Sequence, residues 1–129
     1  MTFLQLFCEG HNLDLQKYIR KQTNSKSNFD LLILTVDLLK VYAENLCIGN
    51  FENVLKTLDT LTEWVQGPCE ENQFAVADSK FLEVANYIFD PERDNELSEI
   101  NTRLDVGESR GTPIKKWQLQ FLRFKCSIL

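Results

Sequence analysis

Apolar residues recur every three or four positions through most of residues 1–89, and this spacing is the feature that most limits the fold. The clearest case is the stretch from residue 51 to residue 65, where one helical face carries Phe51, Val54, Leu55, Leu58, Leu61 and Val65. A strand would need apolar and polar residues to alternate, and the sequence has no convincing stretch of that kind. The sequence therefore predicts an all-α fold, in which each amphipathic helix buries its apolar face against a neighbour.

Capping residues and helix breakers divide this pattern into segments. Gly10 ends or bends the first segment, because glycine adopts the left-handed conformation that follows many helices. The second helix is expected to begin near Ser27, with Asp30 in the capping-box position. Gly49 and Asn50 are expected to separate the second helix from the third, with Asn50 as the cap.

Gly67 and Pro68 end the third helix, since proline cannot continue it. A fourth helical stretch covers residues 70–89, with Asp78 as a candidate point of division. The shared helical periodicity predicts a core that contains Phe7, Leu34, Leu38, Leu58, Leu61 and Val65.

Three parts of the chain are expected to differ in character. Residues 1–89 form a helical domain, residues 90–112 a polar linker, and residues 113–129 the start of a further helix. Both ends of the chain fall inside apolar helical patterns without caps, which predicts that flanking helices are missing. Together these features indicate a fragment of an armadillo-like α-solenoid, built from antiparallel helix pairs.

Charge and composition exclude several classes of protein. The net charge of −5 argues against nucleic-acid binding, which needs a basic face. The longest aliphatic run, residues 31–36, is much shorter than the ~18 residues of a membrane span, so no direct membrane insertion is expected. The four cysteines form no C-x-x-C pair and are expected to be free thiols.

Two glutamates occupy electrostatically unusual positions. Glu9 lies at the end of the first helical segment, and Glu63 lies in the last turn of the third helix. A helix C-terminus carries a partial negative charge, so a carboxylate and the free carbonyls of that turn together attract a cation. Gln66 follows Glu63 by three residues, so its amide oxygen is expected on the same face. These hard oxygen ligands suit calcium, although most glutamates at helix ends are simply solvated.

Cys8 and His11 offer a different chemistry. Their C-x-x-H spacing is compatible with zinc binding or with a cysteine–histidine nucleophile. Zinc would need two more nitrogen or sulfur ligands, and the sequence contains no second histidine. We therefore expect no enzyme activity and no catalytic residues.

Two segments carry a specific resemblance. Residues 3–12, Phe-Leu-Gln-Leu-Phe-Cys-Glu-Gly-His-Asn, resemble the F-L-Q-L-L-C-E-x-H-N segment of the inositol trisphosphate and ryanodine receptors. Residues 61–73 resemble the L-T-E-Y-x-Q-G-P-C-x-x-N-Q segment of the same family, with Trp64 in place of the tyrosine. The chain is identified on these motifs as similar to the receptor-homology-associated domain, over about residues 3–89.

This resemblance implies a function for the unusual glutamates. In the family, the residues at the positions of Glu9, Glu63 and Gln66 help to form the activating calcium site, and all three residue types are retained here. A further ligand comes from a region near the pore that this chain does not contain, so calcium is expected as a regulatory ion at an incomplete site. The resemblance also implies a cytosolic module of a tetrameric calcium-release channel of the endoplasmic or sarcoplasmic reticulum membrane. The partners would be other domains of that channel, and the alternative is a stand-alone helical scaffold without channel activity.

Overall fold

The computed structural model describes residues 2–8 and 10–88, and this part of the chain folds into six α-helices without a β-strand. The helices are α1 (Thr2–Phe7), α2 (Leu13–Tyr18), α3 (Leu31–Glu44), α4 (Ile48–Val65), α5 (Glu70–Ala77) and α6 (Phe81–Ile88). The prediction of an all-α fold is thus confirmed, whereas the armadillo-like arrangement stays a prediction. The linker predicted at residues 90–112 and the helix predicted at residues 113–129 lie outside the described residues, so the domain boundaries also stay predictions.

The long helices α3 and α4 pack along each other at the centre of the fold. Helix α1 packs on α4, α6 packs on α3, α5 contacts both central helices, and α2 lies against α5. Helix α4 buries most of the face that the residue spacing predicts, namely Phe51, Val54, Leu58, Leu61 and Val65, whereas Leu55 is half-buried. Full burial of each large apolar side chain stabilises the fold by about 1.5–3 kcal/mol, so this face anchors α4 firmly in the core.

The predicted core is wrong at two positions. Leu34 and Phe7 keep 52% and 39% of their surface exposed, and Leu38 is only half-buried. Helix α3 instead buries the face formed by Leu32, Val36, Leu39 and Ala43. The error arises because residues 31–34 are all aliphatic, so the periodicity of α3 does not distinguish its inner face from its outer face.

Helix α3 begins later than the sequence predicts. Its N-cap is Asp30, whose Oδ1 accepts a hydrogen bond from the backbone N–H of Ile33 at 3.2 Å. Arg20 also donates to the Asp30 carboxylate, at 3.1 Å. The predicted start near Ser27 is therefore wrong, because Asp30 itself satisfies a free N–H of the first turn.

Helix α4 begins before the expected break. Gly49 and Asn50 lie inside its first turn, and the N-cap is Cys47. The side-chain oxygen of Asn50 reaches back and accepts a hydrogen bond from the Cys47 backbone N–H at 2.9 Å. Asn50 thus stabilises the start of the helix from the third helical position rather than from the cap, so the predicted role as N-cap is wrong.

Two predicted boundaries are confirmed. Gly10 lies between α1 and α2 with a φ of +78°, a conformation that glycine adopts without strain. Asp78 ends α5 and separates it from α6, and its backbone N–H donates to the carbonyl of Phe74 at 2.9 Å. Within residues 2–8 and 10–88, none of the helices combines the length and the apolar character needed to cross a membrane.

Candidate functional site

The C-terminal turn of α4 lies where the chain reverses into α5, and it holds two of the three predicted calcium ligands. Gly67 has a φ of +100°, which allows the reversal, and Pro68 follows it. Proline has no backbone N–H, so the carbonyl of Trp64 lacks the donor that a continuing helix would supply four residues later. The end of α4 therefore needs hydrogen-bond donors from elsewhere in the fold.

Three side-chain amides supply these donors, and we call Gln16, Asn72 and Gln73 the amide cluster. Gln16 Nε2 donates to the carbonyls of Glu63 at 2.9 Å and Gln66 at 2.7 Å. Asn72 Nδ2 donates to the carbonyl of Trp64 at 2.8 Å and to that of Gln16 at 2.9 Å. Gln73 Nε2 donates to two further carbonyls of the turn, those of Val65 and Gly67, both at 3.0 Å. All five carbonyls of residues 63–67 thus accept a hydrogen bond from a side chain.

This arrangement corrects the expectation that free carbonyls of the turn attract a cation. The carbonyl oxygens of residues 63–67 are occupied by amide N–H groups, whose dipoles offset the partial negative charge of the helix end. The negative charge available to a cation on α4 at this turn is therefore that of the Glu63 carboxylate. The residue pattern did not predict the amide cluster, although the absence of an N–H on Pro68 signals that one carbonyl of the turn needs an outside donor.

Two members of the amide cluster are fully buried, and the third, Gln73, is half-buried. Gln16 and Asn72 keep 0% and 1% of their surface exposed, and their oxygens Oε1 and Oδ1 accept no hydrogen bond from the described residues. A buried polar atom without a partner costs about 1–3 kcal/mol. Within the described residues each of these two amides is therefore paired through its N–H groups and not through its oxygen.

Glu63 and Gln66 both sit at the surface edge of the turn, where each side chain is half-buried. Glu63 lies in the last turn of α4, as predicted. Gln66 is the C-cap, with an extended backbone at a φ of −70° and a ψ of 132°, so it has left the helix. The helical i, i+3 geometry expected for this pair therefore does not apply, and the placement of Gln66 depends on what holds its backbone. The third predicted ligand, Glu9, lies outside the described residues.

The described sequence neighbours of Glu9 lie against the same turn. Cys8 is fully buried, and burial raises its pKa to about 11, with further contributions from Cys69 and from the Glu63 carboxylate. His11, on the other side, packs so closely on Gly67 that a Cβ added to Gly67 would come within 3.0 Å of the His11 Cβ. Both sides of position 9 are thus in the neighbourhood of the α4 turn.

A further hydrogen bond joins α1 to α4 one residue beyond Glu63. The indole Nε1 of Trp64 donates to the carbonyl of Leu4 at 3.1 Å, and the Trp64 side chain is fully buried. Tyrosine, the residue that the resembled motif carries here, could also donate from its hydroxyl group. Trp64 in place of tyrosine therefore retains a side-chain donor that can form a hydrogen bond between α4 and α1.

The properties of Cys8 do not suit a nucleophile. Nucleophilic cysteines react as thiolates and need a lowered pKa and access to solvent, whereas Cys8 has a raised pKa and is fully buried. In the part of the chain that the structure describes, no three His, Cys, Asp or Glu side chains converge in a way that could hold a metal ion. The C-x-x-H pair therefore lacks the additional ligands that zinc requires within the described residues.

Comparisons with known proteins cover the same region. The family described as "RyR and IP3R Homology associated", which refers to ryanodine and inositol trisphosphate receptors, matches residues 1–89. The chain is also similar to an inositol 1,4,5-trisphosphate receptor of Caenorhabditis elegans, with 41% identity over 90 residues. This match covers 60% of the chain and 3% of the receptor, so the chain spans a small part of the relative's length. The α4 turn, the amide cluster and the three predicted ligands all fall within residues 1–89.

Proposed function

Because the chain belongs to the ryanodine receptor and inositol trisphosphate receptor homology-associated family, we propose that it is a calcium-sensing module of an intracellular calcium-release channel. The module would lie on the cytosolic face of the endoplasmic or sarcoplasmic reticulum membrane, beside other domains of a tetrameric channel. Its calcium ligands would be Glu9, Glu63 and Gln66, together with oxygens from a segment that this chain does not contain.

The observation that supports this proposal best is the packing of Cys8 and His11, the described neighbours of Glu9. Cys8 is close enough to Glu63 for the carboxylate to raise its pKa, and His11 lies against Gly67, one residue after Gln66. More than fifty residues separate these two segments in the sequence, so their contact is a property of the fold. A calcium site needs oxygens within ~2.3–2.6 Å of one ion, and such contact is a precondition for it.

The number of oxygens explains why such a module could act as a sensor. Calcium takes 6–8 oxygen ligands, whereas two carboxylates and one amide supply at most about five side-chain oxygens. Water would complete the shell until another part of the channel contributes its own ligand. Calcium would then bind more tightly to the arrangement that brings the two parts together, and this differential affinity is what shifts a conformational equilibrium.

Calcium titration of the 129-residue chain tests this proposal. We expect a dissociation constant weaker than ~10⁻⁴ M, outside the ~10⁻⁷–10⁻⁵ M range of complete sensor sites. Micromolar binding would show that the site is complete without a further segment. In the full-length channel, Glu63→Ala should raise the calcium concentration needed for activation, and an unchanged calcium response would remove Glu63 from the site.

The exposed apolar face of α3 favours a second candidate function, a stand-alone scaffold that binds a protein partner. Leu34 and Val41 lie on this face with 52% and 54% of their surface exposed. The full transcript discriminates between the two functions, because a channel requires pore helices encoded downstream. A transcript without such helices would favour the scaffold.

A further inference from the structure

One side-chain amide group holds the backbones of both candidate ligands on α4. The Nε2 of Gln16 donates to the carbonyl of Glu63 at 2.9 Å and to the carbonyl of Gln66 at 2.7 Å. An amide NH₂ group has two N–H bonds at a fixed angle, so the two carbonyl oxygens must keep a nearly fixed separation to accept both. The bridge therefore limits how far Glu63 and Gln66 can move apart.

The bridge matters most for Gln66, because this residue is no longer held by helical geometry. Its backbone N–H still donates to the carbonyl of Thr62 at 2.8 Å, but its own ψ of 132° is extended. Gln66 is followed by Gly67 and Pro68, at which no helix continues. Within the described part of the chain, the side chain that donates to the Gln66 carbonyl is that of Gln16.

Gln16 is itself fixed in place. Its side chain is fully buried, and Asn72 donates to its backbone carbonyl at 2.9 Å. The same Asn72 amide donates to the carbonyl of Trp64, so Gln16 and α4 are joined by two routes. A group buried and held in this way transmits the position of α2 to the end of α4.

Gln73 provides a natural comparison, because it makes the same kind of bridge on the same turn. Its Nε2 donates to the carbonyls of Val65 and Gly67, both at 3.0 Å, and neither residue is a candidate ligand. Both glutamines thus satisfy two carbonyls at the end of one helix. They differ in whether those carbonyls belong to residues that would touch calcium.

We propose that Gln16 is a positioning residue of the calcium site, which sets the relative placement of Glu63 and Gln66 through their backbones. This inference rests on the proposed function, since it concerns the same site. Groups that orient the ligands of a metal typically change its affinity about 10–100-fold when they are removed. Gln73 satisfies the same helix end and should lack this effect.

The test compares Gln16→Met with Gln73→Met in the 129-residue chain. Methionine has nearly the same length as glutamine and removes the amide in both cases. Calcium chloride is titrated into ¹⁵N-labelled protein, the dissociation constant is taken from the chemical-shift changes, and thermal unfolding is recorded for each variant. We expect Gln16→Met to weaken calcium binding about tenfold and Gln73→Met to leave it within about twofold of the unmodified chain.

Equal loss of affinity in the two variants, or a folded Gln16→Met protein with unchanged affinity, would overturn the positioning role while leaving the proposed function intact. An unmodified chain that shows no calcium-dependent shift at any concentration would overturn both. If Gln16→Met does not fold, the side-chain amide signals of the unmodified chain decide the question. Calcium should shift the Gln16 amide signals more than those of Gln73, and the reverse order would contradict the inference.

Discussion

Replacement of Asn72 by alanine should lower the free energy of unfolding, because this one side chain donates hydrogen bonds to two backbone carbonyls. Its Nδ2 donates to two carbonyls that have no helical donor of their own. The Trp64 carbonyl lacks one because Pro68 has no N–H, and the Gln16 carbonyl lacks one because the Arg20 backbone N–H donates to Lys17 instead, at 3.1 Å. Asn72→Ala therefore leaves both carbonyls without a donor.

The expected magnitude follows from the cost of these unpaired groups. Each carbonyl left buried without a hydrogen bond costs about 1–3 kcal/mol. The substitution also removes the Asn72 Oδ1, which accepts no hydrogen bond from the described residues. Removal of this unpaired oxygen offsets the cost of one of the two carbonyls. The net loss of unfolding free energy should therefore be that of one unpaired group, about 1–3 kcal/mol.

Urea denaturation of the 129-residue chain measures this loss, with Asn45→Ala as the matched control. Asn45 also donates one side-chain amide to a carbonyl, that of Val41 at 2.8 Å, but its side chain is exposed. Water can replace its hydrogen bond, so Asn45→Ala should cost less than about 1 kcal/mol. Equal losses for the two variants would refute the argument, because they would show that burial and the missing helical donors add nothing.

Two further predictions concern the loops around the α4 turn. Gly67→Ala should destabilise the fold more than Gly10→Ala. Both glycines have positive φ, but an added Cβ at Gly67 would meet His11 at 3.0 Å, whereas one at Gly10 meets nothing within 4 Å. The melting temperature should therefore fall further for Gly67→Ala than for Gly10→Ala. Cys8 should resist thiol reagents at pH 7.4 while the exposed Cys47 reacts, because burial raises the pKa of Cys8 to about 11. Peptide mass spectrometry after brief alkylation tests this prediction. Equal labelling of Cys8 and Cys47 in the folded chain would contradict it.

The same thiol gives the stability of the chain a defined pH dependence. The pKa of Cys8 is raised in the folded state from its ordinary value of 9.0 to about 11, so the unfolded chain loses this proton at lower pH than the folded chain does. The contribution of the protonated Cys8 thiol to the free energy of unfolding is therefore fully present below pH 9, and it is lost as the pH rises from 9 towards 11. Comparison with Cys8→Ala separates this contribution from the ionisation of other groups.

The sequence predicted α4 better than α3 for a reason that lies in the residues themselves. In α4 the apolar residues fall on one face and polar residues such as Lys56 and Glu52 on the other, so one orientation alone buries the apolar side. In α3 Leu32 and Leu34 are equally apolar, and tertiary packing decides that the first is buried and the second exposed. Periodicity identifies a helix in both cases, but it orients only a helix whose faces differ.

The amide cluster was beyond sequence reasoning for a different reason. Gln16 and its two acceptor carbonyls are 47 and 50 residues apart, and a glutamine in a helix carries no signal for a partner at that distance. The glutamates were singled out because charge at a helix end is unusual in itself. Their importance was predicted from the free carbonyls of the turn, whereas the structure shows these carbonyls occupied by Gln16, Asn72 and Gln73.

The central claim is that the Glu63 carboxylate binds calcium, and paired titrations of Glu63→Gln and Glu52→Gln test it most directly. Both residues lie on α4 and both substitutions remove one negative charge, but eleven residues, or ~16 Å along the helix, separate them. This distance exceeds the ~10 Å screening length at 0.1 M salt, so the charge removed at Glu52 acts only weakly on an ion bound at Glu63. The account predicts that Glu63→Gln weakens calcium binding about tenfold or more while Glu52→Gln leaves it unchanged. Equal effects of the two variants, or an unchanged calcium dissociation constant in Glu63→Gln, would contradict it.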